Sequence, residues 1–146
     1  MKAVDEALDK NGLDEHILAQ VGASSYRPRN FEAVPSLEKA LFEKKFNEAD
    51  SVISHAGVGS MMMAIESGKP LLVMPRLREH GEVVNNHQVA IARKLEEQGC
   101  VLVAYGPEDV QTKMEQLKTF VPRQRKPNPE AVAERISAFL SELSQV

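Results

Sequence analysis

The sequence predicts a doubly wound α/β domain, and three observations carry that reading. The extended runs are short and nearly all apolar, Leu71-Leu72-Val73-Met74 above all, as parallel strands covered on both faces must be. Helix-period segments alternate with them along the chain. The polar, glycine-bearing clusters fall just after strands, the side of an open parallel sheet where ligands bind.

Residues 2–11 read as a helix, with Val4, Ala7 and Leu8 on one face and Gly12 as its stop. Residues 16–21 read as a strand closed by Gly22. The loop from Ala23 to Asn30 holds Arg27-Pro28-Arg29, and residues 31–34 form a short strand. Ser36 is the expected N-cap of a helix reaching about Ala49, with Leu37, Leu41, Phe42 and Phe46 as its buried stripe. Residues 51–54 form the next strand, followed by a glycine turn and a short helix to Ser67. Gly68-Lys69-Pro70 breaks that helix, and the strand 71–74 ends at Pro75. Residues 86–98 form a helix with Val89, Ala92 and Leu95 inward, closed by Gly99. Residues 101–105 are the last strand, and 108–118 a helix with Val110, Met114 and Leu117 on one side.

The expected organisation is one domain over 1–121 and a proline-rich basic linker over 122–129. A final segment, 130–146, carries a helix over 130–143 that packs on the domain or on a partner through Val132, Ile136, Phe139, Leu140 and Leu143. A chain of 146 residues can bury a core without staples. A net charge of −3 and a pI near 5.8 argue against general nucleic-acid binding. The single cysteine, Cys100, excludes an internal disulfide, fits a reducing compartment and reads as a core residue. No run reaches the ~18 apolar residues of a membrane span, and the polar start is no signal peptide. Membrane association is therefore expected to be peripheral or through a partner.

Two clusters carry the candidate chemistry. In His55-Ala56-Gly57-Val58-Gly59-Ser60, glycines between a strand and a helix let the backbone approach an anion, which the helix's unpaired N–H groups and dipole favour. Ser60 would cap the helix or donate to an oxygen. The plainer alternative is a tight turn with Ser60 as an ordinary cap. The second cluster runs from Pro75 to Gln88. Arg76 follows the strand end, where a guanidinium can neutralise phosphate, and Glu82 can accept from sugar or ribose hydroxyls. Asn86 can cap the next helix, with His87 and Gln88 in its first turn. Here the plainer alternative is a solvated loop and a cap.

Other chemistries lack their residues. There is no P-loop lysine and no third glycine of a dinucleotide fingerprint. His55 and His87 have no third ligand at a usual spacing, so neither a metal nor any other cofactor is expected. No serine sits in a nucleophile elbow, and Met61-Met62-Met63 reads as core. The run Arg123-Gln124-Arg125-Lys126 reads as a solvated linker, or else as a patch meeting anionic lipid or an acidic partner face.

Ser54-His55-Ala56-Gly57 through Gly68-Lys69-Pro70, then Met74-Pro75-Arg76, then Asn86-His87-Gln88 resembles the C-terminal domain of glycosyltransferase family 28. Within it the likeness is to small bacterial capsule and exopolysaccharide subunits, which are similar to the soluble subunit of the eukaryotic dolichol-linked UDP-N-acetylglucosamine transferase. The resemblance implies the C-terminal half of a B-type glycosyltransferase and inverting transfer onto a lipid-linked saccharide without a metal. It implies a UDP-sugar donor held here, with the acceptor held by a membrane-anchored partner subunit. The location implied is the cytoplasm, peripheral at the inner face of the cell membrane. By motif match, Gly57, Gly59 and Ser60 would lie near the diphosphate, and His55 belongs to the same UDP-sugar-binding set. Arg76, Glu82, Asn86, His87 and Gln88 would lie near the ribose, phosphate or sugar.

Larger relatives carry a glutamate for the ribose hydroxyls in the helix after the glycine turn, where this chain has Met63; Glu66 and Glu82 are the alternatives. Relatives also open with an apolar strand and a Gly-Thr turn, whereas Met1-Lys2-Ala3-Val4 falls inside the helix that follows. The absent strand would be central, between residues 16–21 and 51–54, and its loss would expose apolar surface on both. A truncated or mis-started chain is the expectation. Two further readings are a non-catalytic regulatory or scaffold subunit that activates a partner glycosyltransferase and, more remotely, a sugar-nucleotide 2-epimerase.

Overall fold

Layered helices on both faces of short parallel strands make up the computed structural model, which describes residues 1–11, 15–76 and 87–124. In chain order the elements are α1 (Lys2–Asn11), β1 (Leu18–Gln20), β2 (Glu32–Val34), α2 (Lys39–Glu48), β3 (Val52–Ser54) and α3 (Val58–Glu66). They continue with β4 (Leu71–Val73), α4 (His87–Glu97), β5 (Leu102–Val103), a 3₁₀ turn (Pro107–Asp109) and α5 (Val110–Leu117). The helix expected over 130–143, most of the linker, and the stop at Gly12 lie outside the described residues.

Strand β4 is the axis of the packing. Leu71 and Val73 face a core built with Phe46, Met61, Ala64, Ile65, Ala92 and Leu95 of α2, α3 and α4. Leu72 faces the other side, among Ala7 and Leu8 of α1 and Val110, Met114 and Leu117 of α5. Period-two alternation through a strand with helices on both sides accounts for its unbroken apolar sequence.

Two glycines stop helices as their positions predicted. At Gly68 (φ +64°) and Gly99 (φ +70°) the chain turns left-handed. Lys69 and Cys100 then bond back to Ala64 and Leu95, while the glycine N–H groups bond Ile65 and Glu96, closing the last turns of α3 and α4. Lys69 also folds over the Phe46 ring, 5.5 Å from its centroid, and its ammonium bonds the terminal carbonyls Asn47 and Ala49 of α2.

The region before α2 departs from expectation. Ser36 is not the N-cap; Glu38 is, with extended backbone and no side-chain cap bond. The Leu37 N–H is taken by Gln20 Oε1 at 3.1 Å, which holds the segment extended and delays the helix. Leu37 thus precedes the helix, and Leu41 is 44% exposed rather than part of the buried stripe.

The strands form two parallel sheets, β1-β2 and β3-β4-β5. Ala19 stands opposite Ala33, Ile53 opposite Leu72, and Val73 opposite Val103. Among the described residues no rung joins β1 to β3. The described strands thus stand as a two-stranded and a three-stranded parallel sheet. Ile53, mid-strand in β3, is 37% exposed, whereas Leu72 beside it is 1% exposed.

Candidate functional site

The site forms where β3 and β4 end. The Met74 N–H donates to the Ser54 carbonyl at 2.9 Å, so the two strands finish level. Beyond Ser54 the Gly57 N–H returns to the His55 carbonyl at 2.8 Å, a tight turn that swings the chain into α3.

Gly57 is the N-cap of α3, with extended backbone and no side chain to offer, and the first helical rung runs from the Met61 N–H to the Gly57 carbonyl. Ser60 is therefore not the cap: it sits inside the first turn. The N–H groups of Val58, Gly59 and Ser60 have no acceptor within the helix and point out beyond the strand ends. Met61, buried against β4, fixes the direction of this turn.

The two glycines differ in their reasons. The His55 imidazole lies against Gly57, where a Cβ would meet its Nε2 at 2.5 Å. At Gly59 a Cβ would touch nothing within 4 Å, and neither glycine has a positive φ. Nothing within the described chain requires a glycine at position 59.

The second cluster reaches the same edge. Arg76 is exposed just after the buried Pro75, and its N–H donates to Gln88 Oε1 at 3.0 Å. That bond joins the end of β4 to the first turn of α4. The covered part of the His55 ring lowers its pKa, and the Arg76 charge lowers it further, so the imidazole is neutral at pH 7. His55, Gly57, Gly59, Ser60, Arg76 and Gln88 are thus gathered at one end of β3 and β4. Glu82 and Asn86 lie outside the described residues, as does the side chain of His87, the first residue of α4. Among the described residues no group of three His, Cys, Asp or Glu side chains is placed to hold a metal ion.

One polar residue escaped the sequence reading. Asp5, in the first turn of α1, is 1% exposed. Its carboxylate accepts from Tyr26 Oη at 2.7 Å, the Arg29 N–H at 3.0 Å, the Asn30 N–H at 3.0 Å and Asn30 Nδ2 at 2.9 Å. Burial pushes its pKa up, but these bonds outweigh it and hold the carboxyl at about 2. Asp5 thereby ties α1 to the loop between β1 and β2. In sequence it reads only as an acidic residue suited to a helix start.

The family profile of the glycosyltransferase family 28 C-terminal domain matches residues 1–143. The chain is 35% identical over 89 residues to the mouse UDP-N-acetylglucosamine transferase subunit ALG13, covering 58% of this chain and 7% of that protein. It is 33% identical over 104 residues to the subunit of the same name from Cryptococcus neoformans, covering 70% and 50%. The chain therefore spans half or less of these curated relatives. Among solved structures, MurG of Acinetobacter baumannii aligns with a TM-score of 0.60 at 22% identity, over 82% of this chain and 39% of that one. The glycotransferase of kitacinnamycin aligns with 0.58 at 22% identity, over 99% and 34%. These two share the fold, and with helices on both faces of parallel strands the present chain has the architecture of one half of such an enzyme. No helix among the described residues is long and apolar enough to cross a membrane. By the match over nearly its whole length, this chain belongs to the glycosyltransferase family 28 C-terminal domain family.

Proposed function

We propose that this chain is the UDP-sugar-binding subunit of an inverting glycosyltransferase that adds a sugar to a lipid-linked saccharide. One observation carries the proposal. The open first turn of α3, a neutral imidazole, and the Arg76–Gln88 link converge at one end of β3 and β4.

In this reading the N–H groups of Val58, Gly59 and Ser60 receive the diphosphate, with His55 beside it and Arg76 adding charge. Glu82, Asn86, His87 and Gln88 contact the ribose, phosphate or sugar. The acceptor hydroxyl oxygen attacks the anomeric carbon from the face opposite the diphosphate. The bond between that carbon and the diphosphate oxygen breaks, UDP departs as the anion, and the hydroxyl proton passes to a base on the partner half. Catalysis on this side is positioning of the donor and stabilisation of the leaving charge.

The mouse and fungal relatives are named as transferase subunits, which supports a second polypeptide for the acceptor. We place that partner in the membrane, and this subunit on its cytoplasmic face. Capsule or exopolysaccharide assembly is the pathway we favour. Calorimetric titration with UDP is the test: saturable binding supports the donor role. Its absence would leave a regulatory or scaffold subunit acting through its partner's own active site.

A further inference from the structure

The segment that leaves α5 turns back onto two helix ends. The Arg123 N–H donates to the Gly99 carbonyl at 2.9 Å. The stem of the same side chain lies over that glycine, with Cδ 3.3 Å and Cγ 3.5 Å from where a Cβ would stand. The next residue reaches the neighbouring helix: Gln124 Nε2 is 3.3 Å from the Cβ position of Gly68. Gly99 and Gly68 are the left-handed stops of α4 and α3. Two consecutive residues therefore span the C-terminal ends of both helices, in a run whose composition reads only as a basic linker. The charge of Arg123 also falls where the dipole of α4 favours it.

These two helices carry the candidate site at their other ends. α3 opens with Val58, Gly59 and Ser60, and α4 with His87 and Gln88, whose Oε1 holds the Arg76 N–H. α3 packs chiefly on β3 and β4, whereas α4 packs on β5. Their spacing is thus set largely through the strands, and residues 123–124 bridge them directly. Each helix is a stiff rod, about 14 Å long for α3 and about 17 Å for α4, so a displacement at one end is carried to the other.

We propose that Arg123 and Gln124 form a clasp that sets the spacing of α3 and α4, which makes Arg123 a positioning residue for the site. The inference rests on the donor-binding reading above, and the clasp acts through the helices without touching substrate. The contact at Gly99 is made by Cγ and Cδ, which lysine also has. An apolar stem and a positive charge therefore suffice, and the guanidinium fork is not needed. Loss of the stem loosens the clasp while leaving every side chain of the two cores in place.

The test uses the full chain with Arg123→Ala, Arg123→Lys and Gln124→Ala, read by amide exchange and by calorimetry with UDP. The reporter is the Arg76 N–H, whose bond to Gln88 joins β4 to α4. In Arg123→Ala that amide should exchange about fivefold faster and UDP should bind about fivefold more weakly, a usual size for coupling between distant sites. Gln124→Ala should act the same way to a smaller extent, and Arg123→Lys should match the native chain. The Val73 amide, buried in β4, should be unchanged. Four outcomes overturn the proposal: unchanged exchange at Arg76, equal acceleration at Val73, unchanged UDP affinity in Arg123→Ala, or an Arg123→Lys chain that behaves like Arg123→Ala. If the native chain binds no UDP while Arg76 still responds, the donor reading falls and the clasp stands.

Discussion

The Arg76 backbone N–H donates to Gln88 Oε1 at 3.0 Å, so the end of β4 and the first turn of α4 are held as one unit across the segment 77–86. The bond is exposed, and its worth to stability is on the order of 1 kcal/mol. Its worth to the site is in fixing where the Arg76 guanidinium and the α4 terminus stand relative to each other.

Replacing Gln88 with alanine, alone or together with His87→Ala, should therefore weaken UDP binding about tenfold and lower the melting temperature by only a few degrees. Calorimetry and thermal melts separate the two effects. Unchanged affinity would reduce Gln88 to a helix-start residue.

Gly59→Ala is expected to act in opposite directions on stability and binding. A Cβ there meets no atom of the chain, and alanine in a helix is favoured over glycine by up to about 1 kcal/mol. The variant should melt higher and, if the proposed donor site is right, bind UDP more weakly, because the methyl would stand in the path of the diphosphate. A stabilised variant with intact affinity would place the nucleotide elsewhere.

The neutral His55 gives a pH signature. Partial burial and the Arg76 charge hold its pKa below that of an ordinary imidazole, and a bound diphosphate would raise it. UDP affinity should then rise as pH falls from the bound-state pKa to the free-state pKa. His55→Ala should flatten that slope. An equal slope in the variant would mean that UDP's own phosphate titration causes it.

Asp5 governs acid stability. Its carboxyl sits at about 2 when folded, against 3.8 for an ordinary aspartate. A depressed folded pKa gives stability that is complete above the unfolded pKa and is lost as pH falls from about 3.8 to about 2. The shift corresponds to about 2 kcal/mol at neutral pH. Asp5→Asn should show that loss in urea melts at pH 7, with the difference from the native chain shrinking below pH 4. Parallel curves at all pH values would refute the linkage.

The sequence made the architecture legible where one physical rule acts alone. Leu71-Leu72-Val73 had to be a covered strand, and Gly68 and Gly99 had to end helices, because no other reading suits those residues. The errors arose where a distant partner decided the local outcome. Ser36 lost the capping position because Gln20, far away in sequence, holds the Leu37 N–H. Leu41 follows helical spacing but is exposed, since none of the described residues covers that side of α2 tightly enough to bury it. Gly57 took the capping place that the serine hydroxyl of Ser60 suggested. In the site, Arg76 and Gln88 were identified by position after a strand and at a helix start, but the bond between them was not. Asp5 stayed hidden because its four donors come from a loop more than twenty residues later.

Leu72 and its neighbours Leu71 and Val73 contribute to different hydrophobic clusters from one three-residue strand. Loss of that strand removes a wall from both clusters together, so neither half of the molecule has a private route to melting. Unfolding should be cooperative for that reason: damage on the α5 side would be felt under α3, directly behind the turn that carries the exposed amides.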